Sequence, residues 1–180
     1  NERMNIGINL SRSSRVPTIE ELYSDGPHLA AYSYEIGNPD LKDETGIGSE
    51  FFAYYSDKSF YGMLTFFYND MRNYIIPRNT GEINFSTLLP IYQTVGIGAK
   101  LLGIESQLEF KFLNKFSFDA SLSYTYGEIN ETKSPLPQIP PLKSFLEFKY
   151  SGNNYTIGIN SEKASAQERV DEFEEPTAGY

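Results

Sequence analysis

The sequence predicts an all-β fold: an antiparallel, up-and-down transmembrane β-barrel segment with long loops at one end and short turns at the other. Three observations predict it. Apolar residues recur at every second position in segment after segment. The connections between those segments alternate between long and short. Several segments also reach the roughly 9–11 residues that a tilted strand needs to cross a bilayer. The stretch QLEFKFLNKFSFDASL at 107–122 shows the alternation most clearly. Leu108, Phe110 and Phe112 alternate with Gln107, Glu109 and Lys111; after a break at Leu113-Asn114-Lys115 the pattern restarts with Phe116, Phe118, Ala120 and Leu122.

The elements follow in order. Met4, Ile6, Ile8 and Leu10 alternate with Asn5, Gly7, Asn9 and Ser11 and define a first strand. A polar stretch containing Pro and Gly runs over 13–41. A second strand over 44–56 turns at Asp57-Lys58 into a third over 59–76. That third strand (FYGMLTFFYNDMRNYII) carries apolar residues on both faces, so its pattern alone leaves its orientation open. A loop with Pro77, Gly81 and Pro90 leads to a fourth strand over 93–112, and Asn114 turns into a fifth over 116–128. A second proline-rich loop precedes a sixth strand over 142–150, Gly152-Asn153 turns, and a seventh runs over 155–163. The acidic VDEFEEPT loop then ends at the start of an eighth. No amphipathic helix is expected.

Alternate connections of an up-and-down sheet lie at opposite ends. The tight turns SDKS, LNK and SGNN therefore share one end, and the loops at 13–41, 77–92, 129–141 and 164–177 share the other. Outer-membrane barrels have this asymmetry. In such a barrel Leu102, Ile104, Leu108, Phe110 and Phe112, interrupted by Ser106, face lipid. Glu105, Gln107, Glu109 and Lys111 face the lumen, where charges stay hydrated or paired. A soluble, carbohydrate- or surface-binding β-sandwich is the contrasting reading and would bury the Leu108, Phe110, Phe112 stripe instead.

Composition narrows the function classes. The chain has 180 residues with 15 Lys plus Arg against 24 Asp plus Glu, a net charge of -9, which excludes the basic footprint of a nucleic-acid surface. With no cysteine there is neither a disulfide framework nor a thiolate metal site. No apolar run is long enough for a transmembrane helix, which leaves spanning strands untouched. The 14 Tyr and 13 Phe fit either strand propensity or aromatic girdles at two membrane interfaces. The single histidine and the lack of a GxSxG elbow argue against an enzyme. Seven strands with open edges cannot sit in lipid, so the chain reads as an interior segment of a longer protein, residues 1–180 being part of one barrel domain.

The stretch RVPTIEELYSDGPHLAAYSYEIGNPDL, from Arg15 to Leu41, carries a family resemblance. Its Arg15-x-Pro17-x-x-x-Glu21-Leu22 segment followed by Gly37-Asn38-Pro39-x-Leu41 resembles the TonB-dependent outer-membrane receptors. The LPQIPP stretch at Leu136 to Pro141 is similar to the family's proline loop before a strand. Arg169-Val170, followed by Glu174 or Glu175 and Thr177 to Tyr180, resembles the approach to a late barrel strand. The resemblance implies a 22-stranded barrel with an N-terminal plug, of which this chain would form about strands 13 to 19. It implies gated import of a scarce nutrient, a metal ion or metal chelate, across the outer membrane of a Gram-negative bacterium. The implied partners are the TonB complex, acting through an N-terminal region outside this chain, together with outer-membrane lipid, lipopolysaccharide and a small nutrient. A passive porin-like channel is the alternative; it would lack both plug and TonB box.

Candidate site residues follow from chemistry and from this resemblance. His28, with Asp25 nearby, is a candidate metal ligand, because neutral imidazole and carboxylate suit a divalent cation. The Gly-x-His pattern at Gly26 to His28, before Glu35-x-Gly37-Asn38, also resembles the zinc-importing branch, in which zinc is substrate rather than resident cofactor; no cofactor is expected. A loop histidine hydrogen-bonded to its neighbours is the other reading. Glu35, Asp171, Glu172, Glu174 and Glu175 are candidate vestibule residues whose field would concentrate cations and repel anionic chelates. Arg12 and Arg15 are expected to pair with loop carboxylates. Gly37 to Pro39 is expected to shape a turn, with Gly and Asn tolerating positive φ.

Overall fold

The computed structural model describes residues 3–180. Seven long strands form one antiparallel wall: β1 (Met4–Arg15), β4 (Glu44–Ser56), β5 (Phe60–Asn84), β6 (Leu89–Phe112), β7 (Phe116–Ile129), β8 (Lys143–Ser151) and β9 (Thr156–Ala164). They are ordered β1-β4-β5-β6-β7-β8-β9, so each long strand pairs with its sequence neighbours in the wall. The 13–41 connection contains more structure than the sequence pattern indicates. It holds a short helix α1 (Ile19–Tyr23), a hairpin of β2 (Asp25–His28) and β3 (Ser33–Ile36), and a 3-10 turn (Leu29–Ala31) between them. Tyr180 and Ala164 exchange both backbone hydrogen bonds, at 3.0 and 2.8 Å, at the end of β9.

Register settles the orientation that the third strand's pattern left open. Ile8 stands opposite Phe51, Phe51 opposite Phe66, Phe66 opposite Ile104 and Ile104 opposite Tyr124. Directly opposed residues share a face, so Phe66, Leu64 and Tyr68 belong to the same apolar surface as Ile104 and Leu102. Phe67 belongs to the other face, where its ring covers Gly103; a Cβ there would lie 2.5 Å from the ring. The apolar surface is exposed: Leu108 is 44% and Phe110 45% accessible. The sandwich reading required that stripe to be buried, and the structure overturns it.

Aromatic rings mark the lower edge of this surface. Phe112 stacks on Phe116 with centroids 5.2 Å apart, Phe116 meets Tyr150 at 5.0 Å and Phe148 at 5.7 Å, and Tyr150 meets Tyr155 at 6.0 Å. These separations favour offset or tilted pairs. The cluster lies at the short-turn end, where a barrel wall carries one aromatic girdle. Between Phe112 and Leu102 lie the roughly 9–11 residues required to span the hydrocarbon. The turns below are closed locally. Asp57 accepts the N–H groups of Ser59 and Phe60 at 2.8 and 2.9 Å, which explains SDKS as a tight turn.

The opposite end departs from expectation. The sequence marks 77–92 as a loop, yet β5 continues to Asn84 and β6 begins at Leu89, so an extended hairpin rises beyond the wall. Pro77 lies beyond Arg72, the last β5 residue paired with β4, where one edge of β5 is free; Pro90 sits beside the register shift between Asn79 and Ile83. The buried core also sits at this end: Ala99, Ile129 and Leu136 are almost fully enclosed, with Met71, Tyr74, Ile97, Leu101 and Ile139 packed around them.

Candidate functional site

The long-loop end is built outward from the top of the wall. Arg15 closes the first loop. Its Nη1 donates to Glu21 Oε2 at 2.8 Å and Oε1 at 3.0 Å, while Nη2 donates to Glu44 Oε2 at 3.1 Å. Glu44 is the cross-strand neighbour of Arg15, and Glu21 is on α1, so one guanidinium ties strand to helix. Thr18 caps that helix. Its Oγ1 accepts Glu21 N–H at 3.2 Å, and Glu21 Oε2 accepts Thr18 N–H at 2.8 Å, a capping box that holds the carboxylate ready for Arg15. The Arg15 guanidinium and the Thr18 backbone N–H hold the Glu21 carboxyl below its ordinary range despite the opposing effect of burial. The Arg-Pro-Glu-Leu pattern is thus a buckle, as expected for Arg15.

Gly37 completes the buckle, though not for the expected reason. Positive φ is not its requirement; among the described residues Gly81 is the only glycine with φ in that region. Gly37 instead lies against the helix backbone, where a Cβ would sit 2.6 Å from Leu22 C and Tyr23 N. Its N–H donates to Ser24 O at 2.7 Å and that of Asn38 to Glu21 O at 2.9 Å, satisfying carbonyls at the end of α1. Asn38 has no positive φ either; its side chain accepts Asp40 N–H at 3.0 Å and forms the turn that way.

The buckled loop carries its hairpin across to β6. Tyr34, Glu35 and Ile36 pair in parallel with Ile91, Tyr92 and Gln93, on the extension that rises above the wall. On that hairpin His28 Nδ1 lies 2.7 Å from Glu35 Oε1, which also accepts the Ser33 hydroxyl at 3.1 Å. Asp25 does not join them. It stands opposite Ile36, on the other face from His28, and accepts the Tyr34 hydroxyl at 2.8 Å; that bond holds the Tyr34 phenol above its usual range. Of the two candidate ligands, His28 therefore has Glu35 beside it rather than Asp25. Among the described residues no cluster of three or more His, Cys, Asp or Glu side chains is arranged to hold a metal ion.

The acidic run divides as well. Glu174 is structural: Oε1 accepts Gln138 N–H at 2.7 Å and Oε2 accepts Asp171 N–H at 3.2 Å, which staples the last loop to the proline loop. Asp171 and Phe173, from the same turn, line a cavity of about 270 Å³ with Tyr74, Tyr92, Pro77 and Pro137. Glu172 and Glu175 are exposed. Phe173, Tyr74 and Tyr92 come from three separate stretches of chain, and the sequence marks them only by a lone phenylalanine inside an acidic run.

Glu105, Gln107, Glu109 and Lys111 share one face of β6, opposite the apolar stripe. Lys111 pairs with Glu109 at 2.6 Å, and Lys149 bridges Glu147 and, at 3.8 Å, Asp119. The polar face thus carries a ladder of paired charges near the short-turn end. Higher up, Arg169 lies 3.8 Å over the Tyr126 ring and donates to Gly127 O at 2.6 Å, which fixes the start of the last loop on β7.

An exposed apolar face bordered by rings, a polar face of paired charges, tight turns at one end and folded loops at the other define a length of outer-membrane β-barrel wall. The TonB dependent receptor-like β-barrel family model matches residues 3–180, and the chain belongs to that family. Relatives include the iron-regulated outer membrane virulence protein of Vibrio cholerae, 30% identical over 73% of this chain and 22% of its own length. A hemin receptor of Yersinia pestis is 25% identical over 94% of this chain and 27% of its length. The chain thus spans about a quarter of these curated relatives. Among solved structures, the copper transporter OprC matches with a TM-score of 0.85 over 98% of this chain and 27% of its own, at 19% identity. The ferric enterobactin receptor PfeA of Pseudomonas aeruginosa matches with a TM-score of 0.67, at 20% identity, over all of this chain and 30% of its own. These likenesses place the wall in the outer membrane of a Gram-negative bacterium.

Proposed function

We propose that this chain is the part of a TonB-dependent receptor that forms one side of its wall and extracellular vestibule, in a protein importing a metal ion or metal chelate. One observation carries the reading: the folded loops gather at one end of an apolar-belted wall, where the extended hairpin, the proline loop and the acidic loop enclose a ring-lined cavity. Iron, hemin, copper and ferric enterobactin in the names of relatives and structural neighbours support metal-linked cargo. Substrate captured at that end would pass along the polar face, whose charges near the short-turn end are already paired. Zinc rests on His28 with Glu35, two ligands of the four that a tetrahedral site requires.

The test is uptake of radiolabelled iron, haem iron, copper and zinc by cells carrying the full-length receptor, with and without TonB. The expected result is saturable uptake of one cargo that disappears without TonB. Uptake that persists without TonB would make the protein a passive channel. Zinc uptake unaffected by His28→Ala would discard the zinc reading.

A further inference from the structure

The cavity between the extended hairpin, the proline loop and the acidic loop has a definite chemistry. Its walls are three rings, Tyr74, Tyr92 and Phe173, with Pro77 and Pro137 beside them. Among the described residues its only ionisable groups besides the two tyrosines are acidic, Asp171 and Glu174, and no Lys, Arg or His lines it. Glu174 has both oxygens committed to backbone N–H groups, which also fixes the turn carrying Asp171. The Asp171 carboxylate has no ion pair among the described residues. Phe173 rests against Gly81 on the hairpin and is still 45% accessible, so a ring face remains at the mouth.

Size and charge together choose a ligand class. An apolar cavity of roughly 150 Å³ accepts one benzene molecule, and drug-sized ligands need roughly 300 Å³ or more. About 270 Å³ therefore accommodates one substituted ring. The ring faces attract a cation, Asp171 accepts from a donor, and two carboxylates with no compensating cation repel an anion. We propose that this cavity is a subsite for a single planar aromatic group bearing a cationic or hydrogen-bond-donating substituent, and that it disfavours an anionic one. The inference rests on the receptor reading and deepens it. The cargo is a ligand with a neutral or cationic aryl arm, held away from its metal.

The test uses three probes of one shape, benzamidinium, benzamide and benzoate, with purified full-length receptor in detergent, read by saturation-transfer NMR. The expected order of affinity is benzamidinium, then benzamide, then benzoate. Phe173→Ala should weaken benzamidinium by roughly two- to fivefold, the range of one cation–π contact at an exposed site. Asp171→Asn should remove the advantage of benzamidinium while keeping benzamide binding, which also reports that the cavity is still formed. Equal binding of the three probes, preference for benzoate, or no binding of any would each overturn the proposal. Binding needs no energised transport, so this assay can succeed where TonB-dependent uptake fails, and fail where uptake succeeds.

Discussion

The wall and the loop layer above it are held together by different physics. In the wall, each side chain's environment follows from its parity along the strand, and below the register shift at Met71 that parity carries from β1 to β9. The apolar residues there are exposed, and lipid is their partner. At the loop end the tightest cluster, Ala99, Ile129 and Leu136, joins two wall strands to the proline loop, and apart from the short β3–β6 ladder the long-range ties are single groups: Arg15, Gly37 and Glu174. The wall is therefore stabilised by many interchangeable apolar contacts and the loop layer by a few contacts with no substitutes. Damage should be diffuse and depth-dependent in the first and local in the second.

The strongest test of that contrast lies on β6, where neighbouring residues face opposite solvents. Leu108→Arg puts a charge on the lipid face near mid-belt and should cost about 2–4 kcal/mol. Gln107→Arg, one residue away on the polar face, should change stability by about 0.5 kcal/mol or less. Chemical unfolding of the full-length receptor in lipid vesicles measures both. Equal costs would mean that the two faces are not lipid and water, and the wall would be assigned wrongly.

A smaller effect is expected at the buckle. Arg15→Ala removes charge-assisted bonds to Glu21 and Glu44 and leaves Glu44, whose side chain is 13% exposed, without its cation. Such bonds contribute roughly 1.5–3 kcal/mol when shielded. Arg15 is 41% exposed, so about 1–2 kcal/mol is expected after screening. Hydrogen exchange should show faster opening over 16–43 with the wall unchanged. Exchange that rises equally in β5 and β6 would mean the layer is not independent of the wall.

The same contrast explains what the sequence pattern conveyed and what it did not. Parity is local, so the seven wall strands and the lipid-facing stripe on β6 could be read directly. The extended hairpin is hidden because Pro77, Gly81 and Pro90 punctuate it; Gly81 and Pro90 sit at a register shift, and Pro77 lies where β5 has a free edge above β4. Helix α1 is too short for periodicity; only the spacing of Thr18 and Glu21 announced it, as a capping box. His28 and Glu35 meet because β2 and β3 pair with His28 opposite Ser33, and the same register puts Asp25 on the far face. The cavity joins residues from three connections, and nothing in a linear pattern brings Tyr74, Tyr92 and Phe173 together.

The smallest expected effect is a pH dependence confined to the buckle. Arg15 first, and then the Thr18 N–H, hold the Glu21 carboxyl below its ordinary value of 4.5 when the loop is closed. Opening restores the ordinary value, so opening takes up a proton in the window between the two. The contribution of Glu21 is therefore complete at neutral pH and is lost as pH falls below about 4.5 and through the depressed value. Exchange over 18–23, corrected for intrinsic chemistry, should accelerate in that window, and Glu21→Gln should flatten the profile. Asp57 is the necessary comparison, because the N–H groups of Ser59 and Phe60 also hold its carboxyl low, at the other end of the wall. If acid loosens the SDKS turn and the buckle together, and Glu21→Gln leaves both profiles in place, the response belongs to the whole sheet. If each end responds through its own carboxylate, so that Glu21→Gln removes the response of the buckle and leaves that of the SDKS turn, the loop layer opens as a unit independent of the belt below it.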